Sequence, residues 1–136
     1  MIVIDASALL EFLLSSGGGP APVTNALSDD NVFAPDLLDA EVFRVYVGFE
    51  KRGVLRAEAV DAAVAALVEA PITRVPNALL VRAARRYSHA LSSYDALYVA
   101  LAASLGCMLL TADGGIAGTA PAQFGVAVTY VPTAAR

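Results

Sequence analysis

Apolar residues recur along this chain in two rhythms. Short unbroken runs at Ile2–Ile4, Val32–Ala34, Ile72–Val75, Met108–Thr111 and Val126–Val131 have the length of buried strands. Between them, apolar positions return every three or four residues, the period of a helix with one buried stripe. That spacing predicts helices over Ala6–Leu14, Pro22–Ser28, Asp36–Arg52, Arg56–Glu69, Asn77–Ala90 and Tyr94–Leu105. Val60, Val64, Leu67 and Val68 mark the inner face of the fourth, and Gly53 and Gly106 close the third and the last. The segment "SSGGGPAP", Ser15–Pro22, reads as a loop. Strands separated by helices indicate an α/β fold with a mostly parallel sheet covered on both faces. No repeat or long linker divides the 136 residues, which suits one domain, 1–136.

Composition sharpens this picture. Hydrophobic residues make up 57% and charged ones 16%, enough for a sizeable core and against disorder. A mean hydropathy of +0.63 raises the question of a membrane. The longest apolar stretch, Ala96–Leu110, is interrupted by Ser104 and Gly106 and flanked by Asp95 and Asp113. It falls short of the ~20 residues a spanning helix needs, so a buried helix followed by a buried strand is expected, and no membrane. There is no basic start, an aspartate stands at position 5, and the lone Cys107 excludes an intrachain disulfide. A cytoplasmic protein is expected. The net charge of −4 is unlike that of most basic nucleic-acid binders, although a local patch or a bound metal can override the mean field.

Four acids stand out against that sparse charge. In open α/β sheets the ligand crevice lies beyond the carboxyl ends of the strands. Asp5 follows the first strand, Asp113 follows "MLLT", and Asp95 opens a helix that starts on the same edge. Each has an ordinary alternative. Asp5 suits an N-cap, worth ~1 kcal/mol. "SSYD" resembles a capping box between Ser92 and Asp95. Asp113 precedes Gly114-Gly115, a common turn. Glu41 lies on or beside an inward stripe of Leu37, Leu38, Val42, Val45 and Phe49, with an i,i+3 pair to Arg44 as its alternative. The set weighs more than its members. Converging carboxylates ~5 Å apart repel by roughly 3 kcal/mol per pair at an effective dielectric of about 20. Either some stay protonated or a cation sits among them. All-oxygen ligands suit Mg²⁺, or Mn²⁺ in its place, over zinc, and His89 and Cys107 each stand alone. The matching chemistry is metal-assisted phosphoryl hydrolysis.

With those residues in view, the chain resembles the PIN-domain ribonucleases, specifically the VapC-type toxins of toxin–antitoxin pairs. The stretches that carry the likeness are "IVIDASALL", "APDLLDAEVFRV", "LSSYDALYVALAASLGCMLLTAD" and "VAVTYVP", in the family's order and over nearly the whole chain. The resemblance implies a three-layer α/β/α sandwich with a central parallel sheet. It implies that Asp5, Glu41, Asp95 and Asp113 form a metal-binding catalytic site, with Ser7 and Thr111 as supporting hydroxyls. It implies Mg²⁺-dependent hydrolysis of RNA to 5′-phosphate and 3′-hydroxyl ends, with Asp95 or Asp113 orienting the attacking water. It also implies a VapB-like antitoxin and a homodimer. Two departures matter: Gly114-Gly115 stand where the family often has a basic residue, suggesting a loose loop, and no further acid follows closely to hold a second ion.

RNA must approach an acidic protein through a local patch. Arg82, Arg85, Arg86 and His89 recur at i, i+3, i+4 and i+7 on one expected helix and would form a basic stripe, unless they are merely its solvated face. Lys51, Arg52 and Arg56 are a second candidate patch, with complementation of a helix C-terminus as the alternative. Tyr87 or Tyr94 would stack on a base or pack in the core. Two other Mg²⁺-binding α/β classes fit poorly. A response-regulator receiver needs a late lysine, whereas the only one is Lys51; a haloacid-dehalogenase-like phosphatase needs a second acid two residues after Asp5, where Ser7 stands. The remaining alternative is a catalytically weak PIN fold that binds RNA or a protein.

Overall fold

The computed structural model describes residues 1–15, 18–29 and 31–133. Five strands, β1 (Ile2–Ile4), β2 (Val32–Pro35), β3 (Ile72–Val75), β4 (Met108–Thr111) and β5 (Val128–Tyr130), form one sheet in the order β3-β2-β1-β4-β5. Every pairing is parallel, with Val3 opposite Phe33 on one side and Leu109 on the other. Helices α1 (Ala6–Leu13), α2 (Ala21–Asp29), α3 (Leu37–Lys51), α4 (Ala57–Glu69), α5 (Val81–Ala84), α6 (Ser93–Leu105) and α7 (Gly114–Phe124) flank it. The α/β/α architecture is therefore as expected, and the sheet is wholly parallel.

Central strands in such a sheet are covered on both faces, which is why Val3, Ile4, Leu109 and Leu110 are all buried. The buried face of α3 is Leu38, Val42 and Tyr46, with Leu37, Val45 and Phe49 half-buried at its margin. On α4 the inner face is Val60, Val64 and Leu67, whereas Val68 is exposed: the stripe is narrower than the four apolar residues suggest.

Three expectations change. The segment Asn77–Ala90 is not one helix but a 3₁₀ turn (Asn77–Leu79), the single turn α5, and a second 3₁₀ turn (Arg85–Tyr87). This winding buries Leu80, Ala84 and Tyr87 together, while Ser88 Oγ donates to the Arg85 carbonyl at 2.8 Å and offers the backbone an exit from the helix. The loose loop expected at Gly114-Gly115 is the first turn of α7. The last strand is shorter than Val126–Val131, because the Val126 amide is spent on the Ala120 carbonyl at the close of α7. There Gly125 adopts φ +67, the left-handed conformation a helix C-terminus favours. Of the expected Ser15–Pro22 loop, residues 16 and 17 lie outside the described residues, and α2 begins within its end at Ala21.

Candidate metal and active site

The strand order reverses between β1 and β4: successive strands run outward from β1 on one side through β2 and β3, then β4 and β5 lie on the other. The crevice outside the carboxyl ends at such a switch point is where doubly wound sheets bind ligands. Asp5 leaves β1 at that point, and Thr111 to Asp113 leave β4 beside it.

Asp5 is 3% exposed, and both oxygens of its carboxylate accept hydrogen bonds. Oδ1 accepts from Ser7 Oγ at 2.7 Å and from the Ala8 amide at 3.0 Å, and Oδ2 accepts from Thr111 Oγ1 at 2.5 Å. The hydroxyls also serve the other loop, since Ser7 Oγ accepts the Ala112 amide and Thr111 Oγ1 the Asp113 amide, both at 2.9 Å. Two short side chains thus tie the end of β1 to the end of β4. Burial pushes the Asp5 carboxyl up to about 6; the three hydrogen bonds pull it back, and the Asp113 charge adds to the rise.

Asp113 is exposed and caps α7, its Oδ1 accepting from the Gly115 amide at 2.7 Å and the Ile116 amide at 3.1 Å. Asp95 sits half-buried in the first turn of α6, whose N-cap Ser92 accepts the Asp95 amide at 3.2 Å. Burial raises its carboxyl, Ser92 lowers it, and Asp113 raises it again. Glu41, one turn into α3, is also half-buried, and its Oε1 accepts from Tyr98 Oη at 2.7 Å. Burial raises it, Tyr98 lowers it, and Asp95 raises it; Arg44 eases it through space without forming an ion pair among the described residues. The start of α3 is pinned by a reciprocal clasp: Asn77 donates its amide to Asp36 Oδ1 at 3.1 Å and accepts the Leu37 amide on Oδ1 at 3.2 Å.

Asp5 and Asp113 both cap helices, α1 and α7, that begin at the carboxyl edge of the sheet. Electrostatic influence runs from Asp5 to Asp113, from Asp113 to Asp95 and from Asp95 to Glu41. Desolvation, rather than mutual repulsion, is the largest cause of each raised carboxyl. Among the described residues no three acidic, histidine or cysteine side chains are grouped so as to hold a metal ion by themselves. The candidate donors Asp5, Glu41, Asp95 and Asp113 are all carboxylates, a donor type that fits a hard cation such as Mg²⁺ or Mn²⁺ better than zinc.

Tyr98 is the residue that sequence reasoning missed. It is 2% exposed, its burial and the nearby Glu41 push its phenol strongly upward, and Asp5 and Asp95 add to that. Its position three residues after Asp95, on the same face of α6, is the one signal that could have found it.

The basic residues are arranged differently from the expected stripe. With the segment broken into short turns, Arg82, Arg85 and Arg86 are exposed but lie on no single helix. Arg85 donates to Ser88 Oγ at 2.8 Å, Arg86 lies over the Tyr87 ring, and His89 meets the edge of Phe124. Tyr87 is core, whereas Tyr94 is 57% exposed and lines a cleft of about 390 Å³ with Arg85, Ser88 and Leu97. In the second patch, Lys51 stands in the last turn of α3, Arg52 lies over Phe49, and Arg56 pairs with Glu58 at 3.8 Å.

A family model described as "PIN domain" matches residues 2–120, and the chain belongs to that family. It is of the VapC type within it. The ribonuclease VapC9 of Mycobacterium tuberculosis is 34% identical over 132 residues, covering 97% of this chain and 99% of the relative. The ribonuclease VapC3 of the same organism is 33% identical over 125 residues, 92% of this chain and 91% of the relative. The crystal structure of M. tuberculosis VapC20, a sarcin–ricin-loop-cleaving toxin, superposes with a TM-score of 0.61 at 20% identity, over 87% of this chain and 94% of that one, a likeness of fold.

Proposed function

We propose that this chain is a Mg²⁺-dependent endoribonuclease toxin, held in check by a VapB-like antitoxin and acting as a homodimer. The observation that carries the reading is the buried Asp5, fixed at the strand switch by Ser7, Thr111 and the Ala8 amide, with Asp113, Asp95 and Glu41 in electrostatic succession around it. The names of the curated relatives VapC3 and VapC9, both ribonucleases, support it.

Asp5, Glu41, Asp95 and Asp113 would hold the cation, directly or through its waters. Bound there, Mg²⁺ or Mn²⁺ supplies a Lewis acid that offsets charge developing on the scissile phosphate. The chain's own groups do the rest. Ser7 and Thr111 hold Asp5 charged and oriented despite its burial. Asp95 or Asp113 orients the attacking water and takes its proton, giving 5′-phosphate and 3′-hydroxyl ends. Arg82, Arg85 and Arg86 offer phosphate contacts on an otherwise acidic surface. The exposed Tyr94 ring beside Asp95 offers a stacking face for a base of single-stranded or looped RNA.

The test is cleavage of a defined RNA by purified protein with Mg²⁺, with EDTA, and with Asp95→Asn. Cleavage is expected only in the first. Undiminished cleavage in EDTA would refute the reading. RNA binding without cleavage, at saturating Mg²⁺, would instead favour the catalytically weak binding module.

A further inference from the structure

Asp95 and Tyr98 stand three residues apart on α6, so both side chains leave one face of the helix. Tyr98 is buried, and its hydroxyl reaches across 57 residues of sequence to Glu41 Oε1 at 2.7 Å. A phenol among carboxylates keeps its proton, so Tyr98 acts here only as a donor. Packing fixes the ring, and the bond therefore fixes the carboxylate of a glutamate that otherwise has three rotatable bonds. One face of α6 thus presents an acid of the site and the group that orients another acid of the site on α3.

We propose that Tyr98 is a positioning residue: its hydroxyl holds Glu41 Oε1 and leaves Oε2 free for the divalent cation. This rests on the metal-dependent reading above. Joined to a half-buried glutamate, the Tyr98 hydroxyl does what groups behind metal ligands do: it sets the ligand's orientation before the ion arrives.

The test is Tyr98→Phe, which keeps the ring and removes only the hydroxyl. Mn²⁺ alone is titrated into wild-type and variant protein by calorimetry, well below their melting transitions. The variant is expected to bind Mn²⁺ at least about tenfold more weakly, the scale of losses behind metal ligands. Its RNA cleavage should need correspondingly more metal and recover at saturation. In a Glu41→Gln background the same change should alter Mn²⁺ affinity less than about twofold, because coupled residues are not additive. Wild-type-like Mn²⁺ binding by Tyr98→Phe, an equal loss in the Glu41→Gln background, or a variant that does not fold overturns the proposal and leaves the metal reading standing. Wild-type protein that binds no Mn²⁺ overturns the metal reading itself, and this proposal with it.

Discussion

Thr111 Oγ1 donates to Asp5 Oδ2 at 2.5 Å while accepting the Asp113 amide at 2.9 Å. One hydroxyl thereby couples the first strand's acid to the fourth strand's loop. Thr111→Val keeps the shape and removes both bonds. It should destabilise the protein by about 1–3 kcal/mol, the cost of leaving a buried acceptor unpaired, read from urea unfolding. RNA cleavage should fall as well; unchanged stability and cleavage would leave the hydroxyl without a role.

Asp5 gives a pH prediction with a definite sign. Its carboxyl stands at about 6 in the folded protein against 3.8 in an ordinary aspartate. Between those values the folded state holds a proton that the unfolded state releases. The contribution of Asp5 to stability is therefore fully present below the lower value and is lost as pH rises through about 6. Relative to Asp5→Asn, the metal-free wild type should lose about 2 kcal/mol of unfolding free energy from pH 4 to pH 7. A pH-independent difference would show that burial does not perturb this group.

Divalent metal should reverse that penalty. Added Mg²⁺ stabilises only the folded protein, so its melting temperature should climb with concentration, at about 2.7 kcal/mol for a hundredfold excess over Kd. The rise should be larger at pH 7 than at pH 5, because ligands must give up protons to bind. It should shrink in Asp95→Asn.

The two glycines of α7 should behave differently. A Cβ at Gly114 meets nothing within 4 Å, whereas one at Gly115 meets Asp113 Oδ1 at 3.0 Å. Gly114→Ala is expected to be neutral or to stabilise by up to about 1 kcal/mol through helix propensity. Gly115→Ala should push the capping carboxylate aside and cost about 1 kcal/mol of cap energy, with a loss of cleavage. Equal behaviour of the two variants in thermal melts and cleavage would argue against the cap.

The strands and the acids on the switch edge are legible in the sequence because both depend on local signals: an apolar run that ends in a charge needs no knowledge of distant residues. Helix α7 is not legible, since Gly114, Gly115, Gly118 and Pro121 all read as breakers, whereas the Asp113 cap, buried Ile116 and Ala120, and the Tyr87 ring against Phe124 hold it. The basic stripe fails for the opposite reason. Its spacing is helical, but the segment breaks into two 3₁₀ turns around the single turn α5, and Ser88 Oγ takes up the Arg85 carbonyl where the winding ends. The bond from Tyr98 to Glu41 joins residues 57 apart, beyond the reach of any local pattern.

The late arrival of β4 has a consequence for the newborn chain. During synthesis β1 can pair with β2 as soon as residue 35 has emerged, yet its other edge stays bare until residues 108–111 follow. Until then the sheet carries an open flank at its centre, and Asp5 lacks the hydroxyl of Thr111. On the reading proposed above, the chain on the ribosome therefore stays inert for most of translation, and its site closes only when β4 slots home beside the central β1.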